Sequence, residues 1–146
     1  MRQMEALMQQ LNSALEEVSP RHSPLDEVKE VIESTHDLRV TNGNISAGRI
    51  AKLYGVSLSE LAGWLSRSRQ AVTKTPDADS LQPALAFFER VARLRLGIKG
   101  GDSAFRKWLR MPNKLLEDES PLQLMAKGEW QVMADFVDDA LTGAPT

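Results

Sequence analysis

Helix start and stop signals divide residues 46–141 into a succession of short amphipathic segments. Ser57 and Glu60 have the spacing of a capping box, and three more polar residues stand where helix N-caps are expected, namely Ser68, Asp102 and Ser120. Apolar residues within the segments recur every three or four positions, and no series of strands with alternating polarity is present. The chain is therefore predicted to be all-α.

The predicted helices follow one another with few residues between them. In chain order they span residues 46–54, 57–65, 69–74, 79–96, 103–111, 120–128 and 129–141. Gly55 is expected to end the first helix in a left-handed conformation, and Asp102 is expected to cap the fifth. The apolar stripe of the long fourth helix is predicted to contain Leu81, Leu85, Phe88, Val91, Ala92 and Leu96.

The N-terminal part of the chain carries a weaker helical pattern. Residues 4–18 repeat apolar side chains at alternating spacings of four and three, which is a heptad pattern. This segment is predicted to be either a self-association helix or a helix that packs on the chain's own core. A second amphipathic helix is predicted over residues 25–33, and residues 38–41 are interpreted as a short extended piece.

Length and composition narrow the class of protein. The 146 residues fit one domain of ordinary size or two small helical modules that share a core. There are no cysteines, which excludes disulfides, thiolate zinc sites and cysteine nucleophiles and suits a reducing cytoplasm. Apolar runs are too short to cross a membrane, and the N-terminus lacks the apolar stretch of a signal peptide. We expect a soluble cytoplasmic protein with no membrane partner.

The net charge of −2 is distributed unevenly along the chain. Residues 1–66 carry 6 basic and 9 acidic side chains, a net charge of −3, and residues 67–114 carry 11 basic and 4 acidic ones, a net charge of +7. Residues 115–146 carry 1 basic and 7 acidic side chains, a net charge of −6. A basic middle suits a polyanionic partner and an acidic end suits a basic one, although both blocks are also compatible with solvated helix faces.

Residues that commonly support catalysis are sparse. His22 and His36 are the only histidines, and neither has metal-ligand spacing to another ligand. The acidic run at residues 117–119 precedes a helix start, where carboxylates favourably meet the helix dipole. Residues 97–101 lack the Gly-Lys-Ser/Thr ending of a phosphate loop. We expect no catalytic site, no metal and no cofactor.

Residues 61–74 have the spacing of a helix-turn-helix. Ala62 is small enough to let a second helix cross closely, and Leu65 and Val72 are placed to meet across the turn. The side chains left facing outward near the start of the second helix can read base edges or hold phosphates. The candidate DNA-binding residues are Arg67, Ser68, Arg69, Gln70, Thr73 and Lys74. An ordinary helical corner with a solvated face would show the same spacing.

The region around this motif resembles a known family. Residues 45–96, centred on the sequence SRQAVTKTP at residues 68–76, are similar to the Xre-like domain of the MbcA/ParS/Xre antitoxin family. The C-terminal part looks like that family's toxin-binding domain, because a helix ending in Trp-Leu-x-x-Pro-Asn is followed by a Pro-Leu helix and by Gly-Glu opening a last helix. No motif covers the first 40 residues.

The resemblance implies a bacterial antitoxin with two partners. One is a RES-domain toxin, which has a fold like that of ADP-ribosyltransferases and consumes NAD, and the other is the operator DNA of the antitoxin's own operon. It implies three parts: an N-terminal helical extension at residues 1–40, a DNA-binding domain at 41–98 and a toxin-binding domain at 99–146. A homodimer is expected, through residues 4–18 or through the helix that contains residues 81–96.

The toxin-binding face is expected on the Pro112–Asn113 corner, the helix after it and the last helix. At 100° per residue, three aspartates and an apolar strip lie on the side of the last helix that faces away from its packed side. This outward side is either a plug for a positively charged NAD pocket of the toxin or a surface that only keeps the helix soluble. The candidate residues are Trp108, Pro112, Asn113, Leu124, Gly128, Val132, Asp135, Phe136, Asp138 and Asp139.

One departure from the family pattern and one alternative function remain at this point. The turn of the helix-turn-helix usually has a glycine followed by an apolar residue, whereas Ser66 and Arg67 stand there. Ser66 predicts a slightly different turn, and Arg67 is expected to add a phosphate contact in place of a buried one. The alternative function is a stand-alone helix-turn-helix transcriptional regulator whose C-terminal domain serves dimerisation or senses a ligand.

Overall fold

The all-α prediction is confirmed over residues 35–143, which are the residues that the computed structural model of the protein describes. The predictions for residues 1–34 and for the last three residues lie outside this part of the chain. The described α-helices are α1 (Ala47–Tyr54), α2 (Leu58–Trp64), α3 (Arg69–Lys74), α4 (Gln82–Ala92), α5 (Gly101–Arg110), α6 (Pro121–Ala126) and α7 (Trp130–Thr142). Short 3-10 turns lie at His36–Leu38, Asp79–Leu81, Arg93–Leu96 and Lys114–Leu116.

Most predicted helix ends are confirmed, because they depend on contacts within a few residues. Ser57 and Glu60 form the capping box of α2, and the Ser68 hydroxyl accepts from the Ala71 amide at 3.1 Å to begin α3. Ser120 forms a second capping box, with Gln123, at the start of α6. Gly55 ends α1 in a left-handed conformation with a φ of 71°.

Two local predictions around residues 93–102 are wrong. The long fourth helix tightens into a 3-10 turn over Arg93–Leu96, and three residues per turn rotate the buried stripe onto Leu94 instead of Leu96. The fifth helix begins after Gly100, which has a φ of 103°, so Asp102 lies inside the first turn rather than at the cap. Asp102 there pairs with Arg95 at 3.1 Å.

One continuous hydrophobic core joins the described helices. Tyr54 of α1 lies at its centre, with ring centroids 5.4 Å from both Phe88 of α4 and Phe105 of α5, and its hydroxyl donates to the Phe88 carbonyl at 2.7 Å. Phe88 also meets Trp130 at the start of α7, which packs along α4. The core therefore crosses the predicted boundary at residues 98–99, although the division into domains stays a prediction.

The segment just before α1 is also part of this core. Leu38 is only 1% exposed. Arg39 makes two 2.8 Å hydrogen bonds to the carboxylate of Glu89, which is buried on α4. Asp37 pairs with Arg95 at 3.0 Å. The last residues of the predicted N-terminal extension are thus fixed against α4 and the turn that follows it.

Two arginines of α5 close the C-terminal end of α1. Arg106 Nε donates to the Leu53 carbonyl at 3.0 Å, and Arg110 Nη2 donates to the carbonyls of Tyr54 and Gly55, each at 3.0 Å. A Cβ on Gly55 would lie 3.1 Å from Arg110 Nη2 and 3.2 Å from Arg106 Cδ. Glycine therefore provides both the left-handed conformation and the room for these side chains.

No helix within residues 35–143 has the length and apolar character needed to span a membrane.

Candidate functional site

Helices α2 and α3 form the predicted helix-turn-helix. The turn between them runs from Leu65 to Ser68, because α2 ends at Trp64 and α3 begins at Arg69. Ala62, Leu65 and Val72 are all buried, as expected for the residues at the crossing of the two helices. Burial of these apolar positions fixes the rotation of α3 and leaves its polar positions at the surface.

The turn keeps the left-handed geometry that the sequence left in doubt. Ser66 has a φ of 57°, its amide donates to the Gly63 carbonyl at 3.1 Å, and the Arg67 amide donates to the Ala62 carbonyl at 2.9 Å. This is the hydrogen-bond pattern of a Schellman motif. The prediction of a different turn at Ser66 is therefore wrong in this respect, since serine adopts the glycine conformation at a cost of about 1 kcal/mol.

All six candidate DNA-binding residues lie at the surface of this unit. Ser68 accepts the Ala71 amide as the helix cap, and its hydroxyl proton remains able to reach a phosphate. None of the ion pairs within residues 35–143 involves Arg67, Arg69 or Lys74. Three cations without an acidic partner in this part of the chain thus surround the start and end of one exposed helix.

The helix-turn-helix is supported from behind by the C-terminal part of the chain. Trp64 of α2 stacks on Phe88, with an interplanar angle of 11° and a centroid distance of 6.5 Å, and α6 contacts α2 directly. Phe88 in turn contacts Trp130 of α7. The exposed side chains of α3 are consequently presented by a unit whose rear face is packed against α4 and α6, and α4 is in turn packed against α7.

Three of the candidate toxin-binding residues are buried, which their residue types alone did not show. Trp108, Asn113 and Leu124 are 5%, 8% and 9% exposed. The indole nitrogen of Trp108 has no hydrogen-bond partner among the described residues, and the Asn113 side chain accepts the Leu115 amide at 2.9 Å. These side chains shape the surface from beneath, so a partner would meet their neighbours rather than the residues themselves.

The predicted acidic face of the last helix is largely paired within the chain. Arg90 of α4 lies 2.8 Å from a carboxylate oxygen of Asp135 and makes hydrogen bonds of 2.6 and 3.1 Å to Asp138. Hydrogen bonds to Asp138, and secondarily to Asp135, raise the pKa of Arg90 above its ordinary value. The outward-facing acidic arc expected from the sequence is therefore reduced, because Asp135 and Asp138 pair with Arg90, about which a helical wheel of the last helix contains no information.

The remaining candidates of this region are accessible. Pro112, Gly128 and Asp139 are exposed, Val132 is 50% exposed and Phe136 is half-buried. Asp139 has no ion pair with any described residue. The outward side of α7 therefore presents an apolar strip with one unpaired carboxylate, which is a smaller charge than the sequence predicted.

Two exposed apolar side chains in this region were missed by sequence reasoning. Leu115 is 59% exposed and Met111 is 36% exposed, and both lie between α5 and α6. An available signal was that both flank the Pro112–Asn113 turn, outside any amphipathic period that would bury them. Over the described residues, no group of three His, Asp or Glu side chains is arranged to hold a metal ion.

Comparison with protein families identifies the C-terminal part. Residues 95–141 match the family described as the antitoxin Xre/MbcA/ParS C-terminal toxin-binding domain. This range contains α5, α6 and all of α7 except its last residue. No significant match was found among curated proteins or among solved structures. The resemblance stated from the sequence is thereby confirmed for this part of the chain.

Proposed function

We propose, on the premise that residues 95–141 match the antitoxin Xre/MbcA/ParS C-terminal toxin-binding domain, that the protein is the antitoxin of a type II toxin–antitoxin pair. It neutralises a RES-domain toxin by covering the site where that toxin consumes NAD. It also represses its own operon by binding operator DNA as a homodimer in the cytoplasm. The family match is the observation that supports this proposal most directly.

The proposed toxin-facing surface consists of the accessible candidates of the matched region. Pro112 and Gly128 are exposed at the two ends of the segment that contains α6, and Val132 and Phe136 form an apolar strip on α7. Asp139 adds an unpaired carboxylate. An NAD pocket offers cationic groups to a pyrophosphate, so an apolar strip with an acidic side chain has the chemistry to cover it.

The proposed DNA-binding surface is the outer side of α3 with the turn before it. Arg69 and Gln70 lie in the first turn of α3 and read bases, since their side chains match guanine and adenine by paired hydrogen bonds. Arg67, Ser68, Thr73 and Lys74 hold the phosphates on either side. The exposure of all six, with the three cations unpaired among the described residues, supports this assignment.

The toxin proposal is tested by co-expressing the full chain with the product of the toxin gene beside it. We expect the two proteins to co-purify, and we expect the chain to suppress NAD loss in cells and in a purified assay. If the neighbouring protein does not bind and NAD loss proceeds unchanged, the stand-alone regulator becomes the better description. Light scattering of the purified chain determines whether it is a dimer.

The DNA proposal is tested by the salt dependence of operator binding. Arg67→Ala and Lys74→Ala should each weaken binding to all DNA alike and lower the slope of log affinity against log salt by about one unit. Lys107→Ala is the matched control, because Lys107 is an exposed lysine on α5, outside the helix-turn-helix. Equal slopes for all three variants would remove this corner from the phosphate contacts.

A further inference from the structure

The corner between α5 and α6, which consists of residues 111–119, presents an unusual apolar surface. Three large hydrophobic side chains are exposed within residues 35–143, and two of them, Met111 and Leu115, lie on this corner. Leu115, at 59%, is the more exposed of the two. Single exposed leucines are common on proteins, but two exposed apolar side chains within one short connecting segment make that segment a candidate contact surface.

The 111–119 corner is held rigidly by one buried residue. The Asn113 side chain accepts the Leu115 amide at 2.9 Å, and the Asn113 carbonyl accepts the amides of Leu116 and Asp118, each at 2.9 Å. The Asn113 amide donates to the Glu119 carbonyl at 3.1 Å. Leu115 is therefore presented in a fixed position, and a partner that covers it does not need to order the loop.

The far side of the same corner carries unpaired negative charge. Glu117 and Asp118 are exposed and have no ion pair with a described residue, whereas Glu119 pairs with Lys127. Both Glu117 and Asp118 have left-handed backbones, with φ of 57° and 66°. Each of these conformations costs about 1 kcal/mol, and the backbone hydrogen bonds of the corner, including that from the Asp118 amide to the Asn113 carbonyl, hold them.

We propose that Leu115 is the anchor by which the antitoxin enters its toxin, and that the toxin receives it in an apolar pocket with a cationic rim. The proposal rests on the proposed function, because the corner lies inside the matched toxin-binding region. The rim is inferred from charge complementarity with Glu117 and Asp118. Binding hot spots are side chains that fill well-packed pockets and are ringed by contacts that exclude water, and a rigidly held Leu115 has the geometry for such a position.

The first test compares Leu115→Asp with Ser59→Asp in the full-length chain. Both positions are exposed, and Ser59 lies on α2, outside the matched region, so both variants should keep the wild-type melting temperature while gaining the same charge. We expect Leu115→Asp to raise the Kd for the purified toxin by about 30-fold or more, and Ser59→Asp by less than about 3-fold. The proposal is overturned if Leu115→Asp binds like the wild type or loses no more affinity than Ser59→Asp.

The second test addresses the cationic rim. Reversing both charges with Glu117→Lys and Asp118→Lys should lower the association rate about tenfold at low salt, and the difference should shrink as salt is added. Both side chains are exposed, and because lysine adopts the left-handed backbone of position 118 less readily than aspartate, the melting temperature of the variant is measured alongside. An association rate equal to that of the wild type at low salt would overturn the inferred rim.

The third test identifies what covers the corner. A photo-crosslinking amino acid replaces Leu115 in one chain and Ser59, an exposed residue of α2, in a control chain. Crosslinks from position 115 to the toxin support the proposal, whereas crosslinks to a second copy or to residues 1–34 overturn it. If the wild-type chain does not bind the toxin at all, the proposed function itself fails, whereas binding without any contact at position 115 refutes only the anchor.

Discussion

The corner formed by α2 and α3 and the outer side of α7 both carry charged residues, but the two surfaces use their charges differently. Arg67, Arg69 and Lys74 have no acidic partner among the described residues. On α7, by contrast, Asp135 and Asp138 are both paired with Arg90. The charge of the first surface is unpaired among the described residues, whereas most of the charge on the second surface holds α7 against α4.

The comparison shows why the net charge of a sequence block is a poor guide to a surface. The block of residues 67–114 has a net charge of +7, yet several of its arginines are engaged within the chain. Arg90 and Arg95 form ion pairs, and Arg106 and Arg110 bind backbone carbonyls of α1 and the turn after it. These four arginines are therefore less available to a polyanion than Arg67, Arg69 and Lys74, which have no acidic partner among the described residues.

The largest expected effect concerns whether the two surfaces belong to one cooperative unit. Phe88→Ala should lower the free energy of unfolding by about 3–5 kcal/mol, because Phe88 is fully buried and contacts Tyr54, Trp64 and Trp130. Urea unfolding followed by tryptophan fluorescence and by circular dichroism should give a single coincident transition. Two separated transitions would show that the regions are independent, and Val132→Ala, at an exposed site, serves as the control.

The next largest effect is expected on operator binding by the corner formed by α2 and α3. Arg69→Ala and Gln70→Ala should each weaken operator binding by about 5- to 150-fold and relax the preference at one base position, with unchanged stability. Binding to a set of operator sequences, each altered at one position, measures both quantities. Toxin binding should be unaffected, and wild-type operator preference in both variants would contradict the assignment of α3 as the reading helix.

A smaller effect is expected from Tyr54, which lies at the junction of the two regions and is the only tyrosine of the chain. Burial raises its pKa well above its ordinary value, so above about pH 10 the unfolded chain releases a proton that the folded chain retains. Stability should therefore be complete below that pH and fall above it, by up to about 1.4 kcal/mol per pH unit from this group. Tyr54→Phe should remove this part of the decline in urea titrations between pH 8 and 11, and an identical pH profile in both proteins would argue against the burial.

The smallest expected effect is the difference in stability between replacing a paired and replacing an unpaired carboxylate on α7. Asp138→Asn should lower the free energy of unfolding by about 1 kcal/mol or less, because its bond to Arg90 is partly exposed and screened by salt. Asp139→Asn should leave stability unchanged, and the difference between the two should shrink at high salt. If Asp139→Asn destabilises as much as Asp138→Asn, the pairing with Arg90 is not what distinguishes them.

The parts of the fold that could be predicted are those set by contacts within four residues. The Ser57–Glu60 capping box, the Ser68 cap and the left-handed Gly55 follow from local chemistry, and so does the amphipathic rotation that exposes α3. The buried position of Leu94 could not be predicted, because a 3.6-residue period does not anticipate a 3-10 turn.

The same difference between local and distant contacts applies to the candidate sites. The exposure of the six DNA-binding candidates followed from one helix and its turn, whereas the state of the α7 aspartates depends on Arg90, which lies 45 and 48 residues earlier. The burial of Trp108, Asn113 and Leu124 likewise results from packing between α5, α6 and neighbouring elements. A single sequence does not record which distant partner an ionic or packed side chain finds.

The two arginines that close the end of α1 have a consequence for engineering. A fragment cut before α5 would lose Arg106 and Arg110 and expose the carbonyls of Leu53 and Tyr54 that these side chains now bind. Grafting the helix-turn-helix onto another protein, or fusing the C-terminal half to a different DNA-binding module, would therefore require a new cap for this helix. The two halves are interdependent parts rather than interchangeable cassettes.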